Sequence, residues 1–223
     1  DGNPILRNID VRIDPDDRLA LLGANGNGKS TFAKFIAGRL PVMDGRRRAS
    51  KKMVVSYFAQ HQIEDLNPNA TAYDHLAPIL PDLTEAQLRA RLDQYGLSHQ
   101  KQNTKAEALS GGERVRLVFA LMTADPPHLM LLDEPTNHLD VDSREALIHA
   151  LNEYEGTTVL ISHDRHLVET CADRLFIVAD GTVSPYDGSL EDYRKGLLEK
   201  DRNKDKGDKS KDDAKARRQQ SAQ

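Results

Sequence analysis

Cysteine occurs once in the 223 residues, at Cys171. No disulfide can close within the chain, and with no signal peptide visible the expected setting is a reducing cytoplasm. No stretch approaches the roughly eighteen consecutive apolar residues that a helical membrane span needs, and the mean hydropathy is -0.62. Nor is there a surplus of positive charge: 31 Lys and Arg stand against 35 Asp and Glu. With a pI near 6.1, a globally basic nucleic-acid binder is set aside. No internal repeat is apparent. An initiator Met is missing too, since Asp1 opens the chain, and the sequence reads as a fragment. What remains is length enough for one large domain with its own hydrophobic core.

The stretch that organises the chain is LALLGANGNGKSTFAKFI, residues 19–36. An apolar run stops at Gly23, and Gly28-Lys29-Ser30 follows four residues later, which is the G-x-x-x-x-G-K-[ST] pattern of a phosphate-binding P-loop. The spacing has a physical reason. A buried strand delivers the chain to a turn whose glycines adopt angles closed to other residues. Successive N–H groups then converge on phosphate oxygens, and the next helix adds its unpaired amides and positive dipole end. Lys29 would set a charge on the β- and γ-phosphates, and the Ser30 hydroxyl would hold Mg²⁺. The competing reading is a chance Gly-Lys-Ser in a glycine-rich turn.

Around this motif the elements alternate. Ile9, Val11 and Ile13 alternate with Asp10, Arg12 and Asp14, predicting a short strand within residues 1–16. A helix is expected over 29–40, stopped by Gly38 and Pro41. Arg46, Arg47, Arg48, Lys51 and Lys52 form a basic cluster, either a solvated hairpin face or a contact for a phosphate-rich partner. A strand over 53–58 leads to Gln60, placed to reach a metal or an attacking water. Helices are expected over 71–80 and 84–95, the second opened by the Thr84-x-x-Gln87 capping box, and residues 98–105 read as a loop.

Ser110-Gly111-Gly112-Glu113 opens a helix over 113–122. Its capping box and bare glycines suit an ordinary helix start or a phosphate site. Leu129-Met130-Leu131-Leu132 is the unbroken apolar run of a parallel strand buried on both faces, and it ends in Asp133-Glu134. Ligands of open α/β sheets sit at the carboxyl ends of strands, so these carboxylates suit a metal ligand, Asp133, and a base or water-positioning group, Glu134. The apolar 157–161 run ends in Ser162-His163-Asp164, placing His163 at the same sheet edge as a γ-phosphate contact. A terminal hairpin spans 175–184 and a short helix surrounds 190–195. Beyond about residue 199, Lys, Arg and Asp interleave without core-forming residues, which predicts a disordered tail or linker over 199–223.

Together GANGNGKST (23–31), Gln60, LSGGE (109–113), LMLLDEP (129–135), Asp140 and His163 resemble the nucleotide-binding domain of ATP-binding cassette (ABC) proteins. The resemblance implies head-to-tail pairing of two such domains, with ATP between the P-loop of one and the LSGGE of the other. Asp133–Asp140, Ser162–His166, Tyr57–Gln62 and Tyr186–Tyr193 resemble the F subfamily, whose members carry two cassettes in one chain and act on the ribosome. Here the likeness is to a second cassette with a charged extension. The family's adenine-stacking aromatic would fall before Asp1.

The expected architecture is therefore an ABC-type α/β P-loop domain over 1–198, with a small antiparallel β part and a helical insertion at about 63–125. The resemblance implies nucleotide binding by Gly23, Asn25, Gly26, Gly28, Lys29, Ser30 and Thr31, and Mg²⁺ binding by Ser30, Asp133 and Gln60. It implies catalytic roles for Glu134, His163 and Gln60, action in trans by Ser110, Gly111, Gly112 and Glu113, and an interface loop at Asp140. Expected partners are ATP, Mg²⁺, a second cassette and the ribosome, in the cytoplasm. The alternative is the ATP-binding subunit of a membrane transporter.

Overall fold

The computed structural model describes residues 4–59, 62–137 and 139–196. Gln60 and the charged 199–223 segment lie outside the described residues. In chain order the elements are β1 (Arg18–Leu22), α1 (Lys29–Ile36), β2 (Val55–Ala59), α2 (Ala72–Leu76), α3 (Glu85–Gln94) and α4 (His99–Gln102). A 3-10 turn at Ala106–Ala108 precedes α5 (Gly111–Met122), β3 (Leu129–Asp133), α6 (Val141–Glu153), β4 (Thr157–Ile161), α7 (Arg165–Cys171), β5 (Arg174–Ala179) and β6 (Thr182–Tyr186).

The six strands form one sheet in the order β2-β3-β4-β1-β5-β6. Every neighbouring pair is parallel except β5–β6, the expected terminal hairpin. Pro185 is accommodated because β6 is an edge strand, where a missing N–H leaves no inner ladder incomplete. Parallel strands need both faces covered, and the apolar runs supply them. Leu19, Leu21, Leu129, Leu131, Val159 and Ile161 join Phe32 and Ala33 of α1 in one buried cluster. The alternate residues Ala20, Met130, Leu132 and Leu160 are buried as well. On β2, Phe58 is fully buried with its ring 6.0 Å from that of Phe119 on α5.

The helical segment from α2 to α5 has a second core of Leu76, Leu88, Leu92, Leu97, Leu109 and Leu117. The predicted caps form: Thr84 with Gln87, and Ser110 with Glu113, each close a reciprocal capping box. Two expectations are corrected. The 98–105 stretch is not simply a loop, because it contains α4. Its composition misled because Gln102, a polar residue, is buried with its amide donating to Arg89 O at 3.0 Å and Leu97 O at 2.8 Å. The alternating 9–13 stretch is not a strand. Its apolar residues Ile9, Val11 and Ile13 do pack against the sheet core, but alternation makes a strand only where a partner backbone completes a ladder, and none pairs with it among the described residues.

The chain divides into two compact units after Tyr186. In the second, residues 190–196 are helical; Ser189 caps them, its hydroxyl accepting from Asp192 N at 3.1 Å, and Glu191 pairs with Lys195 at 2.9 Å.

Within the first unit, Arg18 ties the start of β1 to the end of α6. Its guanidinium donates to Leu151 O at 2.9 Å, Asn152 O at 3.2 Å and Tyr154 O at 2.9 Å, satisfying carbonyls that a helix end leaves orphaned. Arg18→Ala should cost about 1–3 kcal/mol, and Arg18→Lys should recover little of it because a point donor cannot reproduce the planar fork. Equilibrium urea denaturation of the three proteins checks this, and a Lys variant as stable as wild type would contradict it.

Candidate functional site

β1 ends at Leu22, and Gly23 leaves the sheet at φ 151°. A Cβ there would stand 2.3 Å from Val178 O of β5, so the chain exits β1 through a gap that only glycine fits. Gly26 (φ 85°) and Gly28 (φ 98°) turn the loop, and Asn27 anchors it by donating to Val178 O at 3.2 Å. Gly28 is the N-cap of α1 and, among the described residues, no side chain caps the helix, which leaves its first-turn amides open to a ligand. Lys29 is buried, with Nζ donating to Gly23 O at 2.7 Å and Ala24 O at 3.2 Å. An ammonium has three donors, so among the described residues one remains. Burial lowers the Lys29 pKa from its ordinary value, opposed by the negative charges of Glu134 and Asp133.

Those carboxylates arrive from β3, whose Asp133 is opposite Ile161 of β4 in register, as is Leu21 of β1. Asp133 accepts a hydrogen bond from the Tyr57 hydroxyl of β2 at 2.7 Å. Burial, then that bond and the carboxylate charge, push the Tyr57 pKa well above its ordinary value. Glu134 has φ 50°, a left-handed backbone costing a non-glycine residue about 1–3 kcal/mol, and its N–H is held by Ile161 O at 2.8 Å. His163 Nε2 lies 3.1 Å from Asn25 Oδ1 of the loop and 3.4 Å from Glu134 Oε1. Behind it, Ser162 Oγ accepts from Asp164 N at 3.0 Å, and Asp164 caps α7.

The loop, Asp133, Glu134 and His163 thus converge at one sheet edge, as the sequence suggested. Ser110–Glu113 and Asp140 form a second group. Among the described residues, no hydrogen bond or ion pair links Ser110–Glu113 to Gly23–Thr31. The glycines here are packing residues as well as a bare helix start. A Cβ on Gly111 would sit 2.3 Å from Ser143 Oγ, and one on Gly112 would sit 3.4 Å from Asp142 O. Asp140 caps α6 by accepting from Ser143 N at 2.8 Å; the Ser143 hydroxyl and amide hold its carboxyl below the usual range, with Arg114 helping. Glu113 also pairs with Lys101 of α4 at 3.1 Å.

Tyr57 was missed as a site residue, since nothing in a sequence places a β2 side chain beside a β3 carboxylate until strand order is known. In the basic cluster, Arg47 is already engaged, donating to Ile36 O at the end of α1 at 2.6 Å, while Arg46, Arg48, Lys51 and Lys52 are exposed. A groove of about 1980 Å³ passes Arg46, Arg47 and Arg48 but takes in none of Gly23–Ser30, Asp133, Glu134 or His163.

The donor set fits the groups that the family resemblance implies. The uncapped α1 terminus and positive-φ glycines suit phosphate oxygens. One hydroxyl, Ser30, and one carboxylate, Asp133, are the kind of sparse oxygen set that would suit a Mg²⁺ completed by phosphates and water.

A P-loop followed by a capped Ser-Gly-Gly-Glu helix and a carboxylate-ended parallel strand defines an ATP-binding cassette domain of the P-loop ATPase class. The family model for "ABC transporter" matches residues 6–137, more than half of the chain, and the chain belongs to that family. It is 46% identical to the "Probable ATP-binding protein YheS" of Escherichia coli strain K12 over 193 residues, covering 86% of this chain and 30% of that protein. Over 197 residues it is 40% identical to "ABC transporter F family member 3" of Arabidopsis thaliana, covering 88% of this chain and 28% of that protein. The rat "ATP-binding cassette sub-family F member 3" matches at 38% over 195 residues, 87% of this chain and 28% of that protein. The chain therefore spans less than a third of the length of these relatives. In fold it resembles MJ0796, a bacterial ABC transporter cassette solved as a dimer, with a TM-score of 0.61 over 83% of this chain and 92% of that one at 22% identity. No helix among the described residues is long and apolar enough to cross a membrane.

The Gly111 packing is open to direct test. Gly111→Ala should destabilise the α5–α6 junction by about 1–3 kcal/mol through overpacking, because the added methyl must displace a buried hydroxyl that serves Asp140. In a Ser143→Ala background the penalty should shrink, which a double-mutant cycle measures. Equal penalties in both backgrounds would place the strain elsewhere.

Proposed function

We propose that this chain is the second cassette of an F-type ABC protein that binds and hydrolyses Mg-ATP and acts on the ribosome in the cytoplasm. The observation carrying the ATPase reading is the convergence of Lys29, Asp133, Glu134 and His163 at the carboxyl edge of one parallel sheet. Supporting the F-type reading are the sub-family F relatives and the Asp133–Asp140 and Ser162–His166 motifs. Residues 1–198 are proposed as the cassette, with the helical insertion at about 63–125 and the tail at 199–223 as a linker or extension.

In this proposal the amides of Gly26–Thr31, with Asn25 and Gly23 shaping the loop, bind the phosphates, and the free donor of Lys29 adds its charge. Bound Mg²⁺ would neutralise charge building on the phosphates, held by Ser30, Asp133 and Gln60. Glu134 orients and polarises the attacking water, fixed by its own left-handed backbone and the Ile161 bond. His163, braced by Asn25, donates to the terminal phosphate. Ser110, Gly111, Gly112 and Glu113 act on a nucleotide held by the paired cassette, and Asp140 lies at that interface.

Lys29→Ala should abolish detectable ATP binding. Circular dichroism should confirm the fold, since the loop lies at the sheet's edge, and unchanged affinity would remove Lys29 from the site. Glu134→Gln keeps the shape, and should cut turnover about 10²–10⁴-fold while ATP stays bound. In the full-length parent, with the matching change in the other cassette, it should co-sediment with ribosomes in ATP and release as salt rises. Neutralising Arg46 and Arg48, leaving Arg47 at its helix end, should weaken that association only partly.

The transporter-subunit reading is favoured by one observation, the fold likeness to a transporter cassette. Cofractionation with a membrane subunit and no ribosome association in either nucleotide state would select it. Near wild-type turnover in Glu134→Gln would displace Glu134 from catalysis under both readings.

A further inference from the structure

Asp133 is a short carboxylate at the end of a strand, and the terminal torsion of such a side chain is broad and roughly two-fold. Left alone, it would present either oxygen, at several angles, to whatever lies in front of the P-loop. It is not left alone. We propose that Tyr57 is a positioning residue for Asp133: its hydroxyl, 2.7 Å from Oδ2, fixes one carboxylate oxygen so that the other is aimed at the metal.

The sheet makes this contact possible. Tyr57 is opposite Leu131 in the parallel β2–β3 register, and Ala59 is opposite Asp133. Tyr57 therefore shares a face with Asp133, two residues further along the neighbouring strand, within reach of a long side chain. Its neighbour Phe58 takes the other face and packs on Phe119. The Tyr57 ring is itself held, with the Arg39 guanidinium carbon 4.7 Å from its centroid. Arg39 follows the end of α1, so a chain of contacts runs from the helix after the P-loop, through the aromatic ring, to the carboxylate. A phenylalanine would fill the same space. The hydroxyl is the part that packing does not explain.

The inference rests on the reading of Asp133 as a Mg²⁺ carboxylate, and the test separates the two. In the full chain, Tyr57→Phe and Asp133→Asn are compared with wild type by Mn²⁺ binding, read by electron paramagnetic resonance in the presence of a non-hydrolysable ATP analogue. The Mg²⁺ concentration that half-saturates binding of a fluorescent ATP gives a second readout. Partners that orient a metal ligand are typically worth about 10–100-fold in metal affinity. Tyr57→Phe should therefore weaken Mn²⁺ about 10-fold and raise the Mg²⁺ requirement to match. Its nucleotide affinity in EDTA should be unchanged, which a loss of loop structure would not allow. A shift in Asp133→Asn with none in Tyr57→Phe would overturn the role of Tyr57 and leave the metal site standing. No shift in either would overturn both. A Tyr57→Phe loss of nucleotide affinity equal in EDTA and in Mg²⁺ would assign the hydroxyl to loop structure and overturn the proposal.

Discussion

Leu21 stands opposite Ile161, and Ile161 opposite Asp133, across three parallel strands. That shared register is the constraint on which the rest depends. Strands running the same way, paired in step, end in step, and each must then leave the sheet at the same edge. The polar residues of the three exits, Gly23 to Ser30, Asp133-Glu134 and Ser162-His163, meet without any long-range contact having to gather them. The contacts that do exist, His163 to Asn25 and to Glu134, and Glu134 N–H to Ile161 O, refine a meeting already arranged by backbone pairing. A slip of one residue would turn every side chain of a strand to the opposite face and carry Asp133 and Glu134 out of step with the exits of β1 and β4.

A second constraint governs the helical side. Helix α5 approaches α6 so closely that Gly111 has no room for a methyl beside Ser143. The Ser-Gly-Gly-Glu turn, the Asp140 cap and the α6 terminus therefore form one packed corner. A displacement of the turn is a displacement of Asp140. Lys101 attaches α4 to the same corner through Glu113, which joins the helical segment to it by charge as well as by its leucine core.

Much of this was legible in the residues, and for identifiable reasons. Apolar runs such as Leu129–Leu132 and Thr157–Ile161 have one stable home, a parallel strand covered on both faces. Ser110-x-x-Glu113 and Thr84-x-x-Gln87 announce helix starts because the cap is satisfied within four residues. What was not legible depends on partners distant in sequence. Ile9, Val11 and Ile13 carry strand periodicity, but periodicity specifies a buried face and not a ladder. Gln102 reads as solvent-facing, yet its amide is spent on Arg89 and Leu97 carbonyls that only the folded helices bring near. Tyr57 reads as one more aromatic in a strand until β2 is known to lie beside β3. Arg47 reads as surface charge until the end of α1 is known to need a donor.

The backbone at Glu134 has a consequence for how this chain can change. A left-handed conformation is one that glycine adopts freely and asparagine tolerates, while a glutamate there holds the fold in tension. Selection for sturdiness alone would drift that position toward glycine and, in the same step, erase the carboxylate. The position is a place where durability and chemistry pull in opposite directions. Under the role proposed for Glu134, a variant hardened by unguided stabilisation would fall silent at this residue before any other part of the edge was altered.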